Sequence, residues 1–256
     1  MKTIRRILLA LVVILAIVMI LALLFVNSAR NGANPSYDGT ISIGGLNEEV
    51  SVFFDERGMP HIYAATEKDL YYATGYLMAR ERLWQMDLIR RATKGTLSEI
   101  FGEDFVDTDL FLRSLCMTDK SKMVLANSEP EILLAIQYYC DGVNSYISDA
   151  GRKLPPEFRV LMYRPDLWSP EDVANIIGYM GWDLASGSLS EDVFNYRLAK
   201  RLGEEGAAKI IPDWKATESY VFPGFRLDEK LLNDAGSFVS SLEKLEGLGI
   251  ASFSGS

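Results

Sequence analysis

Histidine occurs once in this chain, at His61, and cysteine only twice, at Cys116 and Cys140. Three such residues cannot furnish the ligands of the usual zinc sites. Any Ser/His/Asp or Cys/His catalytic set would have to use His61. The phosphate-loop, H-E-x-x-H, C-x-x-C and G-x-S-x-G patterns are all missing, which removes the nucleotide-binding, zinc-peptidase, thiol-redox and serine-elbow signatures. Positive charge is also in short supply. The 26 Lys and Arg stand against 35 Asp and Glu, a formal charge of −9 over 256 residues. A domain that grips phosphates is ordinarily basic, so no nucleic-acid partner is expected. Apolar residues are not scarce, at 48% with 24% charged, and that composition excludes a disordered or collagen-like chain.

What is present starts with a membrane-length run. Ile7 to Val26 are all apolar, and as a helix they reach roughly 30 Å, the thickness of a bilayer core. Lys2, Arg5 and Arg6 precede them and hold the N-terminus in the cytoplasm. Two readings follow for residues 1–30. One is an uncleaved anchor spanning the membrane through residues 7–26. The other is a cleaved signal peptide, for which the run is long and Asn27-Ser28-Ala29 a weak cleavage site. Either way the body of the protein is expected in the periplasm or outside the cell. From residue 31 onward there are 22 basic and 35 acidic residues, so that body as a whole is not built to lie on anionic lipid. Export permits a Cys116–Cys140 disulfide; two free thiols are the alternative.

Residues 31–37 form a polar linker. Thr40–Ile43, Val50–Phe54 and Pro60–Tyr63 read as strands, the last two joined by the turn Asp55-Glu56-Arg57-Gly58. Thr66-Glu67-Lys68-Asp69 resembles a capping box, with Asp in place of the usual Glu or Gln. A broadly buried helix then reaches Arg91, and helices follow near 95–101, 129–149, 170–183 and 191–202. Asp107 and Asp109 lack the glycine and glutamate of a calcium loop and are expected to be solvated acids at a helix end. A final amphipathic run holds Leu227, Leu231, Leu232, Ala235, Phe238, Val239, Leu242 and Leu245. A β start of three short strands is a poor sheet by itself, so partner strands are expected from elsewhere.

Several ordered blocks resemble the penicillin acylase family, whose enzymes use an N-terminal nucleophile. They run from Asp55-Glu56-Arg57-Gly58-Met59-Pro60-His61-Ile62-Tyr63-Ala64 through Glu81-Arg82-Leu83-Trp84-Gln85-Met86 to Asp141-Gly142-Val143-Asn144. Leu154-Pro155-Pro156-Glu157-Phe158 and Trp168-Ser169-Pro170-Glu171-Asp172 follow. The resemblance covers roughly residues 38–212 and implies an α+β, four-layer αββα body. In that family an exported precursor cuts itself into a mostly helical α-chain and a large β-chain. It implies residues 38–226 as the α-chain region, 227–254 as a spacer to be excised or a permanent helix, and Gly255-Ser256 as the processing site.

In such a site the Ser256 hydroxyl attacks the Gly255 carbonyl, and afterwards Ser256 is the catalytic nucleophile. A terminal serine can use its own α-amino group as base, with an ordinary pKa of about 7.7–8.0, so a chain with one histidine is consistent with this chemistry. His61 itself is expected to be structural. The resemblance also implies that Met180, Asp183 and Leu184 line the acyl-binding pocket. Leu184 stands where phenylacetyl-preferring members carry an aromatic, and Asp183 where they carry a basic residue. Glu191 is the expected single α-chain ligand to Ca2+, its other reading being an acid favoured by the start of a helix. The expected partners are a β-chain from the same precursor and an N-acylated small molecule such as a β-lactam, an acyl-homoserine lactone or an acylated peptide. Alone, this stretch is expected to be inactive. The rival reading is a membrane-tethered, helical extracytoplasmic binding module without catalysis, against which the unpaired strand edges argue.

Overall fold

The computed structural model of the protein describes residues 2–33, 36–151 and 154–210. The expected run at 227–245 and the Gly255-Ser256 pair lie outside these residues. In chain order the elements are α1 (Lys2–Ala33), β1 (Ser51–Phe54), β2 (Pro60–Tyr63), α2 (Glu67–Lys94), α3 (Ser98–Phe101), α4 (Val106–Ser114), α5 (Met117–Ala126), α6 (Pro130–Ala150), α7 (Pro156–Val160) and α8 (Pro170–Ala208). They divide into two compact units, Met1–Asp87 with Ser128–Pro170, and Leu88–Asn127 with the chain from Glu171 on.

The first unit begins with α1, in which Ile4–Ser28 is long and apolar enough to cross a membrane, with none of its described side chains buried. β1 and β2 pair antiparallel, with Ser51 opposite Tyr63 and Phe53 opposite His61. The Asp55 carboxylate builds the turn between them, accepting from the backbone N–H groups of Met59 (2.8 Å) and Arg57 (2.9 Å). Those bonds, Met59's first, hold its pKa below the usual range. His61 is exposed, its Nε2 3.8 Å from Asp55. Thr40–Ile43, expected as a strand, is not one. A strand exists by pairing, and among the described residues the sheet has two strands only.

Thr66 starts α2 as expected. Its hydroxyl accepts from the Asp69 N–H (3.1 Å) and donates to the Asp69 carboxylate (2.8 Å). The other Asp69 oxygen takes the Asn47 N–H at 2.8 Å, and these bonds, Asn47's foremost, depress its pKa. The capping acid therefore ties the helix to the loop before it. α2 kinks at Arg82, and Trp84 just beyond packs edge-on to Phe158 at 5.3 Å. The cross-packing of α2 and α6 depends on two glycines. A Cβ on Gly75 would collide with the Tyr139 carbonyl, and one on Gly142 with the Tyr72 carbonyl. Beside them Tyr76 and Tyr146 meet edge-to-face at 5.5 Å. On α6, Cys140, Val143, Ile147 and Ala150 form the buried stripe. Asn144 pairs both ways with the backbone of buried Trp168, donating to its carbonyl (2.9 Å) and accepting its N–H (2.6 Å).

In the second unit α2 ends at Lys94, and Gly95 turns the chain with φ 61°. Asp109 is buried, contrary to the expectation of a solvated acid. Its carboxylate accepts the N–H groups of Leu97 and Ser98, both at 2.8 Å. These are orphan donors at the start of the one-turn α3. Asp107, two residues away, is exposed as expected. Both cysteines are free thiols, Cys140 buried and Cys116 exposed. The two expected helices at 170–183 and 191–202 are one, α8, which passes through Ser186–Ser190 and breaks only at Gly203 (φ 72°). Serine and glycine cost a helix at most about 1 kcal/mol each, and no proline interrupts the segment.

Candidate functional site

The residues expected to meet a substrate lie along α8, so the rotation of that helix decides what each can touch. Asp172, Asn175, Tyr179 and Asp183 are spaced three or four apart and are all buried, which makes them one face. It is a polar face for a buried one. Asp172 forms an ion pair with Lys94, and the Asn175 amide donates to the Thr118 hydroxyl at 3.4 Å. The Tyr179 ring meets Trp182 at 5.4 Å, tilted by 51°, and Trp182 meets Phe111 at 6.2 Å. Burial first, and Asp183 second, push the Tyr179 hydroxyl well above its ordinary pKa, so it stays neutral in any ordinary buffer.

The opposite face is apolar and open. Ile177, Met180 and Leu184 follow at spacings of three and four, with Met180 51% and Leu184 71% exposed. Gly181 lies among them with nothing within 4 Å of where a Cβ would be. A cavity of about 360 Å³ opens beside this stripe, lined by Met117, Ser121, Val124, Ala174, Ile177 and Trp182 among others. Such a row can receive an aliphatic or aromatic group by burying it; the row itself is uncharged, and Lys120 also lines the cavity beside it.

Of the three residues expected to line a pocket, Met180 and Leu184 thus share one face. Asp183 is only 3% exposed and points with Tyr179 into the unit. Spacings of three and four place all three along one side of α8, but Asp183 and Leu184 stand about 100° apart around the helix, and Asp183 falls at the edge that is buried. Ile177 belongs to the exposed row and was not anticipated; the i, i+3, i+7 spacing of 177, 180 and 184 was the available signal. Glu191 is exposed and seven residues beyond Leu184, again on the same side of α8. It is inside the helix, not ahead of one. Among the described residues no group of three or more His, Cys, Asp and Glu could hold a metal. A calcium ion at Glu191 would take one ligand from these residues and need the rest from elsewhere.

Residues 49–256 match the family model for penicillin amidase. The chain belongs to the penicillin amidase family. Among curated relatives of this family, it is 38% identical over 134 residues to the penicillin G acylase of Escherichia coli, a match covering 51% of this chain and 16% of that one. It is 30% identical over 207 residues to the acyl-homoserine lactone acylase QuiP of Pseudomonas aeruginosa, covering 79% and 24%. It is 34% identical over 182 residues to the penicillin acylase 2 proenzyme of Pseudomonas sp. SE83, covering 71% and 23%. The chain therefore spans about a quarter or less of the length of these penicillin amidase relatives. A solved structure, the thermostable penicillin G acylase from Alcaligenes faecalis, superposes with a TM-score of 0.55 at 25% identity. That match covers 70% of this chain and 97% of the solved one. The solved penicillin amidase chain is thus spanned almost end to end.

Proposed function

We propose that this chain is the α-chain region of an exported, membrane-anchored penicillin amidase that hydrolyses the amide of an N-acylated small molecule. The observation that carries the reading is the family match over residues 49–256 together with near-complete coverage of one solved acylase chain. Whole-length curated relatives are covered to a quarter or less, whereas that solved chain is covered to 97%. A solved chain spanned almost end to end, while covering 70% of this one, supports a precursor cut into separate polypeptides. The word proenzyme in the name of the Pseudomonas sp. relative points the same way.

In this reading the Ser256 hydroxyl attacks the Gly255 carbonyl, and hydrolysis of the resulting ester frees the serine as the first residue of a β-chain. The β-chain completes the αββα body around the β1–β2 hairpin. The free α-amino group takes the Ser256 proton as Oγ attacks the substrate amide, and passes it to the departing amine. Water then releases the acyl group as a carboxylic acid. Met180 and Leu184 line the acyl pocket from α8, with Asp183 supporting that helix from its buried side. Glu191 gives one carboxylate to Ca2+. α1 remains as the anchor rather than leaving as a signal peptide. β-lactams, acyl-homoserine lactones and acylated peptides are the candidate substrates, and Leu184 in place of an aromatic disfavours phenylacetyl groups. Residues 1–256 by themselves are inactive in this reading.

The test is to express the complete reading frame with Ser256 and with Ser256→Ala. Mass spectrometry should find a new N-terminus at Ser256 in the first and an uncut product in the second. A panel of N-acyl substrates should be turned over only by the first. An uncut, inactive product carrying Ser256 would overturn the reading in favour of a membrane-tethered binding module.

A further inference from the structure

One exposed apolar patch belongs to none of this chemistry. It lies in the first unit, on α7 and the loop after it. Val160, Met162 and Leu167 are exposed there, Met162 to 89%. Met162 also holds φ 56°, a left-handed conformation that a bulky side chain adopts only under constraint. A strained, fully exposed apolar side chain gains nothing from its own fold. The same stretch is locally basic on an acidic protein. Between Gly151 and Trp168 the sequence carries Arg152, Lys153, Arg159 and Arg164 against Glu157 and Asp166. Arg159 and Arg164 both line a cavity of about 330 Å³ beside Met162.

What covers this patch is indicated by α1. The Arg159 guanidinium lies over the ring of Phe25, 5.1 Å from its centroid. Phe25 is three residues from the outer end of the Ile4–Ser28 span, one turn or less inside the boundary where hydrocarbon meets headgroups. Whatever touches Phe25 is therefore at that boundary. We infer that α7 and the following loop rest on the outer leaflet, with Val160, Met162 and Leu167 in its interfacial layer and Arg159 and Arg164 on lipid phosphates. Apolar side chains flanked by arginines suit that layer, where a long basic side chain can keep its head among phosphates while its stem stays apolar. The body's overall acidity does not oppose this, because surface charges act within about a Debye length, roughly 8–10 Å. The seat would fix how the catalytic body stands over the membrane and bias it toward acylated substrates that partition into lipid. The inference rests on the reading of α1 as a retained anchor.

The test uses the protein from its complete reading frame with Cys116→Ser, which removes the exposed thiol of these residues, and with any exposed cysteine encoded beyond residue 256 likewise replaced by Ser. An environment-sensitive fluorophore is placed through Met162→Cys, and in a second protein through Leu15→Cys. Both substituted side chains are exposed, so the fold is not at stake. The proteins are reconstituted in phosphatidylcholine vesicles containing a minor fraction of phosphatidylglycerol, with and without nitroxide-bearing lipid. The expected result is a blue-shifted emission quenched by nitroxide lipid at both positions. Exchanging Arg159 and Arg164 for Ser should weaken quenching at 162 and leave that at 15 unchanged. Quenching at 15 with an unquenched probe at 162 would overturn the seat and leave the anchor standing, a water-like emission meaning a bare surface and a blue-shifted one a cover of protein such as the β-chain. No quenching at 15, or loss of residue 15 from the mature protein, would remove the anchor and the seat together.

Discussion

Replacing Gly142 by alanine sets two well-characterised effects against each other at one atom. Alanine is the better helix former by about 0.8–1.0 kcal/mol, and Gly142 is in the interior of α6. Against that gain stands the α2–α6 crossing. The new Cβ would overlap the Tyr72 carbonyl oxygen and come within 2.8 Å of its carbon and 2.9 Å of the Tyr76 nitrogen. All three obstacles are backbone, so no rotamer change relieves them, and the helices must part. Overpacking costs about 1–3 kcal/mol, occasionally more. An obstruction made only of backbone belongs at the upper end, leaving a net loss of about 2 kcal/mol. At about 2–4 °C per kcal/mol for a domain of this size, Tm should fall by about 4–8 °C. Gly181→Ala is the matched control. It is the same change inside α8, with nothing within 4 Å, and should raise Tm by about 2–4 °C. Thermal unfolding followed by tryptophan emission on both variants decides it. An unchanged or higher Tm for Gly142→Ala would refute the crossing described here.

Asp109→Ala should orphan the buried N–H groups of Leu97 and Ser98. At about 1–3 kcal/mol for each donor left unpaired, chemical denaturation should show a clear loss. Asp107→Ala should stay within about 0.5 kcal/mol, and equal effects would mean that Asp109 does not cap α3. Toward alkaline pH, burial raises the pKa of the half-buried Tyr139 phenol to about 12. Folding then favours its neutral form, so this contribution is intact below pH 10 and is lost as pH climbs from 10 through about 12. A Tyr139→Phe variant should flatten that limb of the Tm profile. Asp69 has the opposite sign. Its pKa is depressed, so its contribution is present above the ordinary carboxylate value near 3.8 and lost as pH falls below it. Asp69→Asn should remove that acid dependence, and an unaltered acid limb would show that other carboxylates set it.

The parts of this fold that were legible in the sequence are those with local causes. Thr66 and Asp69 formed a cap because both partners lie within one turn, and Asp55 and Gly58 formed a turn for the same reason. The end of the helix expected near 191–202 coincides with the break at Gly203, whose φ 72° and ψ 168° suit glycine alone. Thr40–Ile43 misled because alternation without a partner is not a strand. α4 and α5 escaped notice because Val106–Ala126 mixes polar and apolar residues without a sustained period. The family-like blocks around Gly142, Asn144 and Trp168 were visible as pattern, but their purpose was not. One permits two helices to touch, and another pairs a side-chain amide with a distant backbone. At the site, the shared face of Met180 and Leu184 follows from spacing, whereas the burial of Asp183 depends on what α8 packs against. Asp109 looked like a surface acid for the same reason, since burial is a property of the assembled chain.

The hairpin also has a consequence for the passage across the membrane proposed above. β1 and β2 follow within about thirty residues of α1, whereas the α6 glycine that locks α2 in position arrives some eighty residues after the hairpin. In that export the strands would leave the channel early, with no third strand paired to them among the described residues and the exposed Phe53 and Tyr63 rings meeting edge-on. Long edges in that condition would recruit a neighbouring copy before the rest of the polypeptide appeared. Four residues per strand offer too short a ladder for stable mispairing. The brevity of the hairpin is thus a safeguard in time, keeping a half-made surface unattractive until its rightful covering arrives.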